Sequence, residues 1–124
     1  MKNTIFVPGE VASSKNGRTF ARGRSLPSKS CQKYYKASKS FWEDTANRDW
    51  FLSCLKGKSI PYRIEFTFIR GSKRRFDLIN PLQTVQDLMV KSGWLVDDNA
   101  DILLPSFGLY KYEKGGAGVW ITVL

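Results

Sequence analysis

Four stretches of the chain carry the hydrophobic pattern of β-strands. Residues 60–69 have the clearest one, because apolar and polar side chains alternate there, as they do in a strand with one buried face. Residues 4–7 are β-branched or aromatic and precede a Pro-Gly pair, which predicts a short first strand. Two further strands are predicted near 102–112 and 117–124, with residues 114–116 forming the turn between them.

Two segments have helical spacing instead. Apolar residues between about 30 and 55 recur mostly at intervals of three and four, which predicts an amphipathic helix with a candidate break near Asn47. A second helix is predicted after Asn80, since Asn is a good N-cap and Pro81 suits the first helical position. Gly93 is a suitable residue to end it. The aromatic residues of the first helix could stack on nucleic-acid bases, but on an apolar helix face they more often belong to the core.

The order of these elements is β-α-β-α-β-β. It predicts a single domain over residues 1–124 of the α/β (α+β) class, with a mixed β-sheet and two main helices packed on it. Residues 9–30 are rich in Gly, Ser, Pro, Lys and Arg, which predicts a long loop between the first strand and the first helix. Loops of this length in small domains often carry function.

The charge of the chain narrows the class of its binding partners. Its 124 residues include 20 Lys and Arg but 11 Asp and Glu, a formal net charge of +9. Such an excess favours polyanions such as DNA, RNA or an acidic membrane surface, although a basic solvated surface is the plainer alternative. The first residues lack the apolar core of a signal peptide, and no run is long enough to span a membrane. We therefore expect a cytoplasmic protein with no membrane partner.

Histidine is absent, which excludes Ser-His-Asp and Cys-His relays. Any proton chemistry must therefore use carboxylates, lysines or a metal-activated water. The two cysteines, Cys31 and Cys54, lie far apart in apolar, helical surroundings. Small buried thiols in a reducing compartment are expected there, rather than a disulfide or a zinc site.

Acidic residues and a basic run flank the second predicted helix. Asp77 follows the basic residues 73–75 after one intervening residue, and Asp97 and Asp98 stand in the loop after that helix. Mg²⁺ takes oxygen ligands, and the basic run would hold DNA phosphates beside the ion. A helix of about a dozen residues advances the chain by about 18 Å, so the acidic loop has to fold back on Asp77 or approach it from a dimer partner. The plainer alternatives are a charge near a helix start for Asp77 and a simple turn for Asp97 and Asp98.

These residues, in this order, resemble the RusA-type Holliday-junction resolvases (the endodeoxyribonuclease RusA family). The family pattern is a basic run, D-x-D-N, a helix containing an Asp, and a D-D pair. In this chain it corresponds to residues 74–80, the helical Asp87 and residues 94–98. Residues 8–16 are similar to the family's strand-proline-S-x-N opening. The resemblance covers nearly the whole chain and suggests a divergent, phage or prophage-like member.

The resemblance implies a small homodimeric endonuclease that uses Mg²⁺, or Mn²⁺ in its place, to cut four-way or otherwise branched DNA in recombination and repair. Asp77 and Asp98 match the family's first and last aspartates, and with Asp97 they are the implied catalytic residues and metal ligands. Asp87 is a further implied metal ligand. The predicted nucleic-acid-binding residues are Lys15, Asn16, Arg18, Arg22, Lys73, Arg74 and Arg75.

The chain departs from the family pattern at two positions of the site. Ile79 replaces the second aspartate of D-x-D, and Gln83 stands where members often carry Lys. Since Ile cannot bind a metal, Asp87 or Asp101 would have to compensate. Two functions therefore stay open: a Mg²⁺-dependent, structure-selective endonuclease, which the retained aspartates favour, and a catalytically impaired module that binds branched DNA on the same fold. A third, a basic RNA-binding protein, lacks any recognisable RNA module.

Overall fold

The computed structural model of the protein describes residues 3–12, 18–21, 24–27 and 29–124, with side chains described in the first and last of these ranges. Its strands are β1 (Thr4–Pro8), β2 (Arg18–Ala21), β3 (Arg24–Pro27), β4 (Tyr62–Arg70), β5 (Leu103–Phe107), β6 (Lys111–Tyr112) and β7 (Gly118–Val123). Its helices are α1 (Lys29–Glu43), α2 (Thr45–Leu55) and α3 (Ile79–Lys91). This α+β arrangement confirms the predicted fold class, with a third helix among the described residues.

Five of the described strands form one mixed sheet in the order β1-β7-β4-β5, with β6 pairing with the end of β4. Strand β7 is antiparallel to β1 and β4, whereas β5 and β6 run parallel to β4. Ile64, Phe66 and Phe68 of β4 are buried, as the alternation over 60–69 predicts. The parallel strands β4 and β5 are connected through α3, the kind of crossover that parallel neighbours require.

An aromatic cluster fills the core beside the helices. The ring of Trp94 lies 5.1 Å from those of both Trp42 and Phe51, measured between centroids. The indole Nε1 of Trp94 donates a hydrogen bond to the carbonyl oxygen of Trp42 (2.8 Å). All three residues are completely buried. Trp42 and Phe51, which come from the predicted first helix, therefore belong to the core and not to a stacking surface.

The predicted helix at 30–55 is two helices, because Asp44 interrupts it. The side chain of Asp44 accepts a hydrogen bond from the N–H of Asn47 (3.0 Å) and caps the start of α2. Asp is among the strongest N-cap residues. The break thus lies three residues before its predicted position at Asn47, whose side chain donates instead to the carbonyl of Phe41 (3.1 Å).

Helix α3 begins two residues earlier than predicted. Its first residue is Ile79 and its N-cap is Leu78, which provides no side-chain hydrogen bond, so the prediction of Asn80 as the N-cap is wrong. The N–H of Asn80 already donates to the carbonyl of Asp77 (3.1 Å) in the turn that leads into the helix. Pro81 is tolerated in this first turn because an N–H there would have no intrahelical partner.

Helix α3 ends where Gly93 was predicted to stop it. Gly93 has a φ of +80°, a conformation that residues with a Cβ rarely adopt. Its N–H donates to the carbonyl of Val90 (3.2 Å), and the N–H of Trp94 donates to that of Met89 (2.8 Å). This pair of bonds is a Schellman motif, and it directs the buried Trp94 into the core.

Two other segments differ from the predicted pattern. The predicted loop at 9–30 contains β2 and β3, which pair as an antiparallel hairpin. The predicted strand at 102–112 is divided into β5 and β6. The division follows from Gly108, where the chain passes so close to β4 that a Cβ would overlap the Thr67 side chain.

Cys31 is buried, Cys54 is half-buried, and both are free. Burial raises the pKa of the Cys54 thiol. Within the described ranges, every helix is too short or too polar to cross a membrane.

Candidate nucleic-acid interface and acidic site

The segment between β4 and α3, residues 71–77, has no regular secondary structure and is called the basic segment below. Lys73, Arg74 and Arg75 are all exposed. The ammonium of Lys73 lies 5.0 Å from the centroid of the Tyr112 ring, within cation–π range. The three cations predicted to hold DNA phosphates therefore stand together at the surface.

Contacts at both ends hold the basic segment in place. At its start, a carboxylate oxygen of Glu10 accepts a hydrogen bond from the N–H of Gly71 (3.1 Å). The other oxygen lies 3.6 Å from Nε of Arg70, an ion pair rather than a hydrogen bond. Near its end, the Arg70 guanidinium lies 4.1 Å above the Phe76 ring, and Phe76 meets Tyr110 edge to face at 5.1 Å. These contacts orient the segment without using the three exposed cations.

A cavity of about 950 Å³ lies between α1, residues 9–12 and the basic segment, and is called the basic cavity below. Its aromatic lining comes from Tyr34, Phe76 and Tyr110. Burial raises the pKa of Tyr34 to about 12, so its phenol stays neutral at physiological pH. Its charged lining residues are Glu10, Lys33, Arg70, Lys73, Arg74, Arg75 and Asp77. Cations outnumber carboxylates around the basic cavity, which therefore favours an anionic occupant.

Asp77 is an exposed residue that lines the basic cavity, so one sequence-predicted acidic residue lies directly beside the predicted phosphate-binding cations. Helix α3 forms part of the same surface. The hydroxyl of Thr84 donates to the carbonyl of Ala12 (2.7 Å), which fastens residues 9–12 to the helix. Asn80 also lines the basic cavity.

One face of α3 connects the start of the helix to the acidic loop. Ile79, Gln83 and Gln86 are spaced by four and three residues, so they share this face. Ile79 is 62% exposed. The amide of Gln86 donates to a carboxylate oxygen of Asp98 (3.3 Å), and that of Gln83 donates to Asp87 (2.9 Å). The positions that correspond to the family's second aspartate and its lysine therefore lie on one face of α3, and the family's last aspartate contacts the same face through Gln86.

Asp97 forms a turn. One of its carboxylate oxygens accepts from the N–H of Asp98 (2.7 Å), and the other accepts from the side-chain amide of Asn99 (3.1 Å). The side chain of Asn99 in turn accepts from the N–H of Asp101 (2.9 Å). These contacts match the simple turn that the sequence allowed for Asp97 as an alternative to a metal ligand. The side chain of Asp98 contacts α3 instead.

The acidic loop does fold back onto α3, but it meets the helix away from its start. Ile79 and Gln86 are about two turns apart, roughly 10 Å along the helix axis. Within the part of the chain that the structure describes, no three Asp, Glu or Cys side chains form a group that could hold a metal ion. The structure therefore brings Asp98 to the helix that follows Asp77, without gathering Asp77, Asp87, Asp97 and Asp98 into one cluster.

Some sequence-predicted DNA-binding residues cannot be placed. Lys15, Asn16 and Arg22 lie outside the described residues. Arg18 begins β2, but its side chain lies outside them as well.

Four residues of this region escaped the sequence analysis. Glu10, Lys33 and Tyr110 come from three distant parts of the chain, and no local pattern links them to the basic segment. Gln86 follows Leu82 by four residues and precedes Met89 by three, so helical spacing places it at the edge of the apolar stripe of α3, where it is only 9% exposed. A buried polar side chain requires a partner, and here the partner is Asp98.

Comparison with known proteins agrees with the RusA-type resemblance over part of the chain. No protein-family model matches the sequence. The chain is similar to the crossover junction endodeoxyribonuclease RusA of Aquifex aeolicus (strain VF5), with 34% identity over 71 residues, which cover 56% of this chain and 55% of that protein. The match thus spans about half the length of its curated relative, and it supports a RusA-like relationship for this chain.

Proposed function

We propose that the protein is a RusA-like endodeoxyribonuclease that binds four-way or otherwise branched DNA and cuts it with the help of a divalent metal, in recombination and repair. The observation that carries the proposal is the position of Asp77. It borders a cavity whose walls carry a cluster of exposed cations, on the surface where phosphates would be held. The similarity to a crossover junction endodeoxyribonuclease supports the same function. Such an enzyme would act in the cytoplasm, where its DNA substrate is.

The basic segment would supply most of the phosphate contacts. Lys73, Arg74 and Arg75 are exposed, and the segment is already oriented by Glu10, so little ordering would be needed on binding. Phosphate contacts fix the position of the DNA but carry no sequence information. Selectivity for branched DNA must then come from the shape of the surface around the segment.

The metal proposed for this site is Mg²⁺, with Mn²⁺ as a substitute. Asp77 and Asp98 are the proposed ligands, and Asp97 or Asp87 would supply a further oxygen. The chemistry of these donors suits a hard cation, because carboxylates are its preferred protein ligands and only one or two are usual for Mg²⁺. In the described residues, the four aspartates are not gathered at one point. When bound, the ion would polarise the phosphodiester. The chain's own contribution would be to orient the phosphate beside Asp77 with the basic segment.

We further propose that the protein acts as a homodimer. Cutting both strands of a four-way junction symmetrically needs two equivalent sites. Sedimentation or scattering at micromolar concentration tests this part of the proposal, and a strict monomer in the presence of junction DNA would contradict it.

The decisive experiment incubates labelled four-way junction, flap and plain duplex with the protein and either Mg²⁺ or Mn²⁺. We expect cleavage of branched substrates, and its loss in Asp77→Asn. Asp77→Asn should bind the junction as well as wild type or better, because a carboxylate that repels phosphate has been removed. Asp49→Asn on α2 is the matched control, since Asp49 is also exposed but lies outside the basic cavity.

A second candidate function is a branched-DNA-binding module without nuclease activity. The observation that favours it is Ile79, an exposed apolar residue at the position of a family aspartate. If wild type binds the junction tightly but cuts none of the substrates with either Mg²⁺ or Mn²⁺, the second function is favoured over the first.

A further inference from the structure

We propose that the basic cavity binds a single unpaired nucleotide of the DNA strand, with its base against Tyr110 and its phosphate beside Lys33 and the basic segment. This inference rests on the proposed function and deepens it, because it names the feature of branched DNA that the surface recognises. Neither Lys33 nor Tyr110 has a role in metal binding, and neither belongs to the basic segment.

The charge of the lining fits a nucleotide phosphate. Glu10 and Arg70 form an ion pair and offset each other. What remains is Lys33 on α1 and the three cations at 73–75, against the one carboxylate of Asp77. Lys33 lies on α1 and the other three cations lie on the basic segment, so two separate elements contribute cations to the lining.

The aromatic side of the cavity fits a base. Tyr110 is 48% exposed, and its ring meets Phe76 edge to face. Phe76 is in turn covered by the Arg70 guanidinium at 4.1 Å, so it serves as a fixed support rather than as a free surface. Exposed aromatic rings beside a cationic groove are the recurring means of binding single-stranded nucleic acid, because every base has a face that can stack.

The size of the cavity suits one unpaired nucleotide. A volume of about 950 Å³ is at the upper end for small-molecule pockets, which is ample for one nucleotide. In a fully paired duplex, a base reaches such a pocket only after it is unstacked and unpaired, whereas an already unpaired base avoids most of this cost. Bases that are unpaired or readily unpaired are a feature by which branched DNA differs from plain duplex.

The test compares the affinity for a duplex that carries one bulged nucleotide with that for the matched perfect duplex, in EDTA so that no cleavage occurs. We expect wild type to bind the bulged duplex at least about fivefold more tightly, from the stacking of one base. Tyr110→Ala and Lys33→Gln should bring this ratio towards one. Trp120→Ala and Lys39→Gln are the matched controls, because both residues are exposed but lie outside the cavity lining, and they should preserve the ratio.

A spectroscopic measurement separates stacking from a general loss of affinity. With 2-aminopurine as the bulged base, saturating wild-type protein should quench its emission more strongly than saturating Tyr110→Ala does. Far-UV circular dichroism and melting curves confirm that each variant is folded. The inference is overturned if wild type binds bulged and perfect duplexes equally, or if Tyr110→Ala leaves both the ratio and the quenching unchanged.

The outcome is independent of nuclease activity. A wild-type protein that prefers bulged DNA but never cuts a junction would retain the nucleotide site and refute the enzyme. A protein that cuts junctions yet shows no preference for the unpaired base would retain the enzyme and refute the nucleotide site.

Discussion

Replacing Ile79 with Asp restores the carboxylate that the family pattern has at this position, and the structure determines what the change should cost. Ile79 is the first residue of α3 and is 62% exposed. It therefore lies on the surface, and the introduced carboxylate would not be buried. The first turn of α3 also contains no acidic residue, so a negative charge would be new there.

The expected loss and gain in the free energy of unfolding nearly cancel. Full burial of an Ile side chain is worth about 1.5–3 kcal/mol. Because more than half of Ile79 is exposed, its replacement should cost about 1 kcal/mol of unfolding free energy or less. A carboxylate in the first turn of a helix returns about 0.3–1 kcal/mol through the helix dipole. We expect Ile79→Asp to change stability by less than about 1 kcal/mol, whereas a buried, unpartnered charge would cost several kcal/mol.

The assay is urea or thermal unfolding of wild type, Ile79→Asp and Ile79→Asn, each with and without Mg²⁺. The Asn variant loses the same apolar contacts but adds no charge, so the Asp–Asn difference isolates the carboxylate. If the new carboxylate becomes a ligand, Mg²⁺ at about 100 times its Kd should add about 2.7 kcal/mol to the unfolding free energy of the Asp variant alone. A large destabilisation of the Asp variant would refute our placement of residue 79. Identical Mg²⁺ responses of the Asp and Asn variants would refute its membership of a metal site.

Three further predictions follow from the contacts around the basic segment and from the end of α3. Replacing all three cations at 73–75 with Ala should flatten the slope of log K against log salt by about 3 per subunit; an unchanged slope would place the DNA elsewhere. Glu10→Gln should change stability by less than about 1 kcal/mol, because its ion pair with Arg70 is partly exposed. The same variant should tighten DNA binding by removing a negative charge, as filter-binding titrations would show, and weaker binding would mean that Glu10 matters mainly for orienting the segment. Gly93→Ala should lower the free energy of unfolding, measured in urea, by about 1–2 kcal/mol, because the φ of Gly93 is +80°. An added Cβ would not clash, since its nearest neighbour, on Arg48, is 3.7 Å away. Gly93→Asn should cost less, because Asn tolerates this conformation better, and equal costs would point to side-chain packing instead.

The fold could be predicted from the sequence where the pattern is local. The alternation in β4 and the end of α3 at Gly93 depend on neighbouring residues, and both predictions are confirmed. The break between α1 and α2 was placed three residues late, because Asp44 and Asn47 are both residues that favour helix ends. The hydrogen bond that makes Asp44 the cap is visible only in three dimensions.

The candidate site shows the same division between local and distant information. Only one residue separates 73–75 from Asp77, so their proximity could be predicted from the chain itself. By contrast, Glu10 contacts Gly71 across 61 positions, and Gln86 contacts Asp98 across 12. Contacts between such distant positions depend on the packing of the sheet and α3, for which a single sequence gives no direct signal.

The position of Ile79 suggests how the proposed site would take up its metal. A carboxylate at residue 79 would stand between Asp77, just before α3, and Asp98, which meets the same helix face about 10 Å further along. The residue that the chain lacks is therefore the one that would have linked the other two. Mg²⁺ commonly completes its coordination with phosphate oxygens of the substrate when few carboxylates are present.

On the proposed function, metal binding should then be weak in the free protein and strengthened by DNA, and by linkage Mg²⁺ should tighten junction binding by the same factor. Calorimetric titration of Mn²⁺ into the protein with and without an uncleavable phosphorothioate junction measures this coupling, and the junction titrated without protein corrects for ions that the DNA binds by itself. If the protein binds Mn²⁺ equally well with and without the junction, no DNA phosphate takes the coordination position that a carboxylate at residue 79 would occupy, and this explanation is wrong.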